Sequence, residues 1–434
     1  MITTVRFTKF AHKFAQVEAH ELKAVVLAFL CNFVLLGSYY ILRPVRDTMA
    51  TIFGVGQLQN LFTLTFFGTL IAAPIFGGLA SRIKLTRFLP GVFWFWLLNV
   101  LGFYLLLTVM PDNRWVAGGY YVWFSVTNLF MVSVFWSLMV DIFSAQQATR
   151  LFAVIAAGGS IGAIFGPIIT RACVSAVGLG GLLLIAAAGF LLVIIFIHLL
   201  MREKEWLRAH GDAVQPSTLD HGLGGNPFDG FSTVFKSTYM LNQAAFMLLM
   251  TWIATVTYFL QTDLIAKTFS DITGRTQAIA DIDLVVNICS ALILTFGLGR
   301  FVQRFGVTWG LLLNPIFMVI AFVGVALSPS LLMIQAVQVV RRVSQYAIAR
   351  PSREMCFTVL PQENRYKAKS VIDTVVYRFG DLVAAWMQAG LKYLGFGMTG
   401  TIGLGLLWSG LWGVVAVALG RRYELLRASE SDRS

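Results

Sequence analysis

The chain has 434 residues, 57% of them apolar and only 12% charged, with a mean hydropathy of +0.76. That leaves too little polar surface to cover a soluble globule of this size. The formal net charge is +12, but the basic residues fall in short loops between apolar stretches, a distribution that orients a membrane protein and does not describe a nucleic-acid surface.

Twelve apolar stretches, most of them near the roughly 20 residues a helix needs to cross the hydrocarbon of a bilayer, predict an all-α integral membrane protein. In chain order they are 25–42, 61–79, 88–109, 116–142, 151–169, 182–200, 240–260, 284–298, 307–327, 331–343, 371–391 and 396–419. The first 23 residues carry no short apolar core followed by a small-residue cleavage site, so the first span reads as a retained anchor. The short tenth span is expected to continue past Arg341 and Arg342 and to stop at Pro351, because the residue before a proline disfavours helix.

Lys9, Lys13 and Lys23 precede the first span; Arg82, Lys84 and Arg87 follow the second; Arg202, Lys204, Arg208 and Lys236 lie between the sixth and seventh. Arg300 and Arg304 follow the eighth, a dense run from Arg350 to Lys369 follows the tenth, and Arg421, Arg422 and Arg427 follow the last. By the positive-inside rule these positions are cytoplasmic, with both termini inside, and a bacterial inner membrane is the expected location.

Residues 202–239, with Pro216, Gly222, Gly224, Gly225 and Pro227, form the one long polar interruption and divide the chain into halves at 1–201 and 240–434. Six spans on each side of a cytoplasmic loop are the major facilitator layout. Within the loop, Phe228, Phe231, Val234 and Phe235 have the spacing of either a surface-lying amphipathic helix or a plain linker. Gly77-Gly78 before Arg82 and Gly297 and Gly299 before Arg300 make a weak internal repeat. In the fifth span Gly158, Gly162 and Gly166 recur every four residues on one helix face, which lets another backbone approach closely. Pro74, Pro167 and Pro315 lie inside spans, where neighbouring helices can satisfy the freed carbonyls.

Cys31, Cys173, Cys289 and Cys356 are scattered, and His12, His20, His198, His210 and His221 form no ligand cluster. No G-x-x-x-x-G-K-[ST] loop is present. No disulfide framework, metal site, cofactor or ATP hydrolysis is therefore expected.

Charges at membrane depth carry the most information, since each costs at least about 2.5 kcal/mol to insert and persists only with a partner, water or a function. Asn32, Tyr39, Arg43 and Arg46 share a stripe of the first span; Gln335, Gln338, Arg342 and Gln345 share one on the tenth. The fourth span adds Asn128 and the seventh Thr255, Tyr258 and Gln261. In the major facilitator layout these four helices surround the central cavity, and arginine's planar fork suits phosphate or carboxylate. Arg43, Arg46, Asn128, Tyr258, Gln338 and Arg342 are thus the candidate contacts for a small anionic substrate, although Arg43 and Arg46 also read as arginines snorkelling to headgroups. Asp47, Asp373, Arg378 and Asp381 are the candidate gating or coupling residues. The pair Arg378 and Asp381 reads equally as a structural ion pair, a re-pairing gate or a proton site.

Three stretches resemble the ATP/ADP translocase family of plastids and intracellular bacteria, within the major facilitator superfamily. They are Tyr39-Tyr40-Ile41-Leu42-Arg43-Pro44-Val45-Arg46-Asp47-Thr48; Phe135-Trp136 with Ala148-Thr149-Arg150-Leu151-Phe152; and Gln345 to Met355 with Tyr366-Lys367-Ala368-Lys369-Ser370-Val371-Ile372-Asp373. The resemblance implies nucleotide exchange driven by gradients and membrane potential, with ATP and ADP as the small-molecule partners. It also implies four charged positions. Arg46 stands at the first with its charge kept, the fourth-helix acid falls near Phe124 or Ser125, the seventh-helix acid near Thr255, and Asp381 replaces the eleventh-helix lysine. Those departures leave room for a diverged member that moves another phosphate-bearing or carboxylate metabolite. The rival reading is a proton-coupled symporter or exporter of another organic anion, with Asp381 or Asp47 as carrier. With no nucleophile motif or soluble domain, an enzyme is not expected.

Overall fold

The computed structural model describes residues 17–18, 20–83, 85–209, 229–360, 368–369 and 371–431. Lys9, Lys13, Lys84, His12, His210, His221, the loop from Pro216 to Phe228, and Tyr366, Lys367 and Ser370 lie outside them. Among the described residues the chain is helical nearly throughout and has no strand. This suits hydrocarbon, where a helix satisfies its backbone groups within its own segment.

Helix α1 runs Leu22–Phe53, α2 Leu58–Arg82, α3 Leu85–Val109 and α4 Arg114–Ile142. Ala145–Ala209 contains two helices, α5 (145–177) and α6 (179–209), divided at Gly178, whose φ of 65° a side chain would resist. A short helix, Asp229–Lys236, precedes α7 (Thr238–Thr268) and answers the amphipathic spacing read in the loop, with Val234 buried and Phe235 exposed. Helix α8 starts at Ile272 and passes through a π turn at Ile293–Gly297; a second glycine break, Gly306 at φ 81°, separates it from α9 (307–327). Helix α10 comprises Leu331–Ser344, a π turn at Gln345–Ala349 and Arg350–Cys356. Helix α11 opens with a π turn at Ile372–Val376 and continues through Tyr377–Tyr393, and α12 is Gly397–Ser431.

Among the described residues eight helical runs are long and apolar enough to cross a membrane by length and composition, and two of these are the double runs broken at Gly178 and Gly306. Large apolar side chains such as Leu64, Phe67, Ile71, Leu98 and Leu105 face outward, as lipid-facing residues do. Starts follow local chemistry: Asn113 accepts from the Trp115 and Val116 amides, Ser237 from Met240 and Ser330 from Met333.

Two expectations are corrected. Pro351 does not stop α10, which continues to Cys356; the wider π turn just before it relieves the clash a proline ring makes in a regular helix. Helix α8 begins well before 284, because its polar first part finds partners that a hydropathy window does not register.

The chain forms two compact units. Unit 1 takes Met1–Phe53, Ile71–Gly224 and Asp271–Leu284; unit 2 takes Gly54–Leu70, Gly225–Ser270 and Val285–Ser434. Each has its own apolar core, one around Trp96, Phe135 and Phe190, the other around Phe246, Phe322 and Trp412.

Candidate functional site

In unit 1 the polar residues gather where α1 outruns its expected end. The Tyr120 hydroxyl donates to the Leu42 carbonyl at 3.2 Å, fixing α4 beside this part of α1. The Arg46 Nε donates to Asp47 Oδ1 at 2.8 Å, and its guanidinium lies 5.4 Å from the Tyr121 ring centroid and 5.8 Å from that of Phe124. Tyr39 stacks on Phe124 at 5.3 Å. Arg43 lies 5.6 Å from the Tyr40 ring centroid and 3.8 Å from the Asp283 carboxylate, which is fully buried. Both arginines are enclosed by rings and acids, at 12% and 15% side-chain exposure, which is not the setting of a snorkelling side chain. Asn128, one turn beyond Phe124 on α4, is half-buried. Asn32, at the other end of the α1 stripe, donates to the Ile155 carbonyl at 3.0 Å and fastens α1 to α5.

In unit 2 two glutamines of α10 gather around Arg341. Gln338 Nε2 donates to the Thr257 carbonyl at 2.7 Å, while Arg341 donates to Gln338 Oε1 at 2.9 Å and to Gln345 Oε1 at 2.8 Å. The amide stripe read beside Arg342 thus serves its neighbour, and Arg342 is itself buried. Across α7 and α11, Thr255 donates to Asp381 Oδ1 at 3.0 Å, with Arg378 3.8 Å from the same carboxylate. Asp373, two turns earlier, is bound at 2.7 Å by Arg353, which is 4% exposed. Tyr258 packs against Phe62 with centroids 5.9 Å apart. Sequence reasoning therefore found Arg378 with Asp381, and it missed Arg341, Arg353 and Asp283. A helix-spacing test of the polar segment before 284, which a hydropathy window passes over, is the signal that finds Asp283.

At the start of α5, Ser144 and Gln147 cap each other reciprocally, at 2.9 and 3.3 Å. Gln147 and Arg150 both donate to Glu21, at 3.0 and 2.7 Å. Burial pushes the Glu21 carboxyl up, but hydrogen bonds from Arg150, the Glu21–Glu18 backbone contact and Gln147 outweigh it and hold the group below its usual range. Among the described residues, Glu18, His20 and Glu21 are the group that brings three potential metal-ligand atoms within 4.8 Å. Arg150 pairs with both carboxylates there, offsetting the charge a cation would need.

A family model described as Major Facilitator Superfamily matches residues 28–384. The chain is 23% identical over 455 residues to ADP,ATP carrier protein 1 of Chlamydia pneumoniae, covering 86% of this chain and 85% of that protein. Among solved structures, a bacterial homologue of the iron transporter ferroportin, inward-facing, matches at TM-score 0.66 and 13% identity, covering 92% of this chain and 99% of that one. The nucleoside transporter NupG matches at TM-score 0.59 and 16% identity, covering 94% and 99%.

Proposed function

The chain belongs to the major facilitator superfamily of membrane transporters, and from that premise we propose that it exchanges phosphate-bearing metabolites, nucleotides of the ATP and ADP type, by alternating access. The observation that carries this reading is the combination of arginine and aromatic rings on α1 and α4. Arg46 offers a fork to phosphate, while the half-buried Tyr39, backed by the buried Phe124 on which it stacks, is the ring against which a nucleobase would stack. Arg43 and Arg46, with Asn128, Tyr258, Gln338 and Arg342, are assigned to the substrate. Arg378 and Asp381 change partners as access switches, while Asp47 and Asp373 hold Arg46 and Arg353 until then. Likeness to a carrier named for ADP and ATP supports the substrate class. Exchange of nucleotides differing by one charge would draw about 2.3 kcal/mol per 100 mV from the membrane potential. The positive-inside distribution of the basic loops supports a reading with both termini on the cytoplasmic side of a bacterial inner membrane.

The test is uptake of labelled ATP and ADP into proteoliposomes, either preloaded with unlabelled nucleotide or empty. Uptake confined to preloaded vesicles is the expected outcome, with Arg46→Ala and Arg342→Ala abolishing it; full transport by both variants refutes the assignment. A proton-coupled route has one observation in its favour, the enclosed Asp381 carboxylate held by Thr255. Accumulation into empty vesicles that follows an imposed pH gradient would select that route instead.

A further inference from the structure

The first part of α8 belongs to unit 1 while the rest of that helix belongs to unit 2. Its residues form two rows. Thr276 and Asp283, two turns apart, meet α1: the Thr276 and Thr48 hydroxyls are 2.9 Å apart, and Asp283 faces Arg43 at 3.8 Å. Arg275 adds a bond to the Thr51 hydroxyl at 3.2 Å. Gln277 and Asp281, one turn apart, meet α5, where Gln277 donates to the Arg171 carbonyl at 3.3 Å and Asp281 pairs with the Arg171 side chain.

These contacts differ in weight. Arg171 and Asp281 are 55% and 42% exposed, and an exposed pair contributes little because water screens it. Asp283 is fully buried, so its attraction to Arg43 dominates the set. The same guanidinium is one of those assigned to the substrate's anionic group. A phosphate oxygen pair can approach an arginine fork to about 2.8 Å in bidentate fashion, closer than the 3.8 Å at which Asp283 stands.

We propose that the Asp283 carboxylate competes with the substrate's anionic group for Arg43, so that anion binding releases the first part of α8 from α1. This rests on the reading of Arg43 as a substrate contact and names what regulates it. Once Arg43 turns to the anion, Asp283 is a buried carboxylate that has lost this cation, and burial without it is costly. The α8 segment then leaves its place on α1 together with the Thr276 contact. Switching follows occupancy, and a carrier that switches only when occupied exchanges its substrate and does not cycle without it.

The experiment uses the full chain in proteoliposomes with Thr48→Cys and Thr276→Cys, whose sulfurs replace hydroxyls 2.9 Å apart; added diamide oxidises the two thiols, and the disulfide is followed by mass of the joined peptides. ATP, ADP, inorganic phosphate and citrate are the probes. Asp283→Asn is expected to slow disulfide formation by roughly tenfold, equivalent to about 1.4 kcal/mol, and to permit nucleotide uptake into empty vesicles. Asp283→Glu keeps the charge and is expected to behave as the parent, which separates loss of the carboxylate from misfolding. At least one probe is expected to slow the parent's reaction and to have no further effect on Asp283→Asn. Equal rates in the parent and Asp283→Asn overturn the proposal, as does a set of probes none of which changes the parent. If phosphate or citrate acts and neither nucleotide does, the nucleotide reading falls and the competition stands.

Discussion

Helices α1 and α5 in one half of the sequence hold the places that α7 and α11 hold in the other, as first and fifth spans, yet the two pairs meet by different chemistry. On α5, a Cβ added at Gly158 meets the Phe29 carbonyl, one at Gly162 meets the Phe33 carbonyl and the Gly37 amide, and one at Gly166 lies 2.6 Å from the Gly37 carbonyl. That is backbone against backbone. On α11 a single glycine, Gly380, touches the Thr251 hydroxyl; one turn along α7, Thr255 donates to Asp381 with Arg378 beside it. Among the described residues all three π turns also fall in unit 2, on α8, α10 and α11, and such turns mark functional segments in helices. Contact between backbones has one spacing and no substitute partner, whereas a hydroxyl, a carboxylate and a guanidinium can trade partners. The pair α1 and α5 meets backbone to backbone, whereas the pair α7 and α11 meets through the side chains that we propose change partners.

The sharpest way to break this contrast is Gly162→Leu. With backbone on the far side nothing can give, so overpacking should cost more than about 3 kcal/mol, and size-exclusion of the purified protein should show no monodisperse peak. Survival of a folded, active Gly162→Leu protein would mean that α1 and α5 are free to separate.

Arg150→Ala tests another fastening of α5. It leaves the buried Glu21 without its guanidinium and should cost about 3 kcal/mol, read as a lower midpoint in thermal unfolding. The pH sign is set by Glu21, whose folded value lies below the usual one. Its contribution is present above the ordinary carboxylate range near about pH 4.3 and is lost as pH falls through the folded value. In Glu21→Gln that acid-side loss should shrink.

Asp381→Asn probes the pair proposed to change partners. Threonine can still donate to the amide oxygen, so the stability change should stay below about 1.5 kcal/mol, while exchange in proteoliposomes drops by an order of magnitude or more. Smallest of all, Gly380→Ala brings a methyl against the Thr251 side chain, which must turn and give up its bond to the Leu248 carbonyl, and should cost about 1 kcal/mol; a loss as large as that of Gly162→Leu would erase the distinction between the two helix pairs.

The spans were legible because hydropathy integrates over some twenty residues. The glycine stripe was legible because a spacing of four maps directly onto one helix face. Arg341 was not, because 338, 341, 342 and 345 all fit one broad face, and only side-chain geometry decides which guanidinium the amides reach. Hydropathy passed over Asp283 for another reason: its segment is polar, and its partners on α1 and α5 lie far away in sequence. The α7 to α11 contact was half visible, since Arg378 and Asp381 are three apart on one helix, while the Thr255 bond joins residues 126 apart.

The shared ownership of α2 and α8 has a consequence for biosynthesis. Unit 1 receives its last segment only when residue 284 has been made, whereas unit 2 uses residues 54–70, among the earliest of its own. Thr48 therefore awaits its α8 partner Thr276, 228 residues on, and Thr63 awaits Trp386, 323 residues on; Arg43 and Phe62 wait in the same way for Asp283 and Tyr258. Cutting the gene in the central loop yields two products that each lack a piece the other carries, so neither matures by itself, and co-expressed fragments must find each other before either is finished.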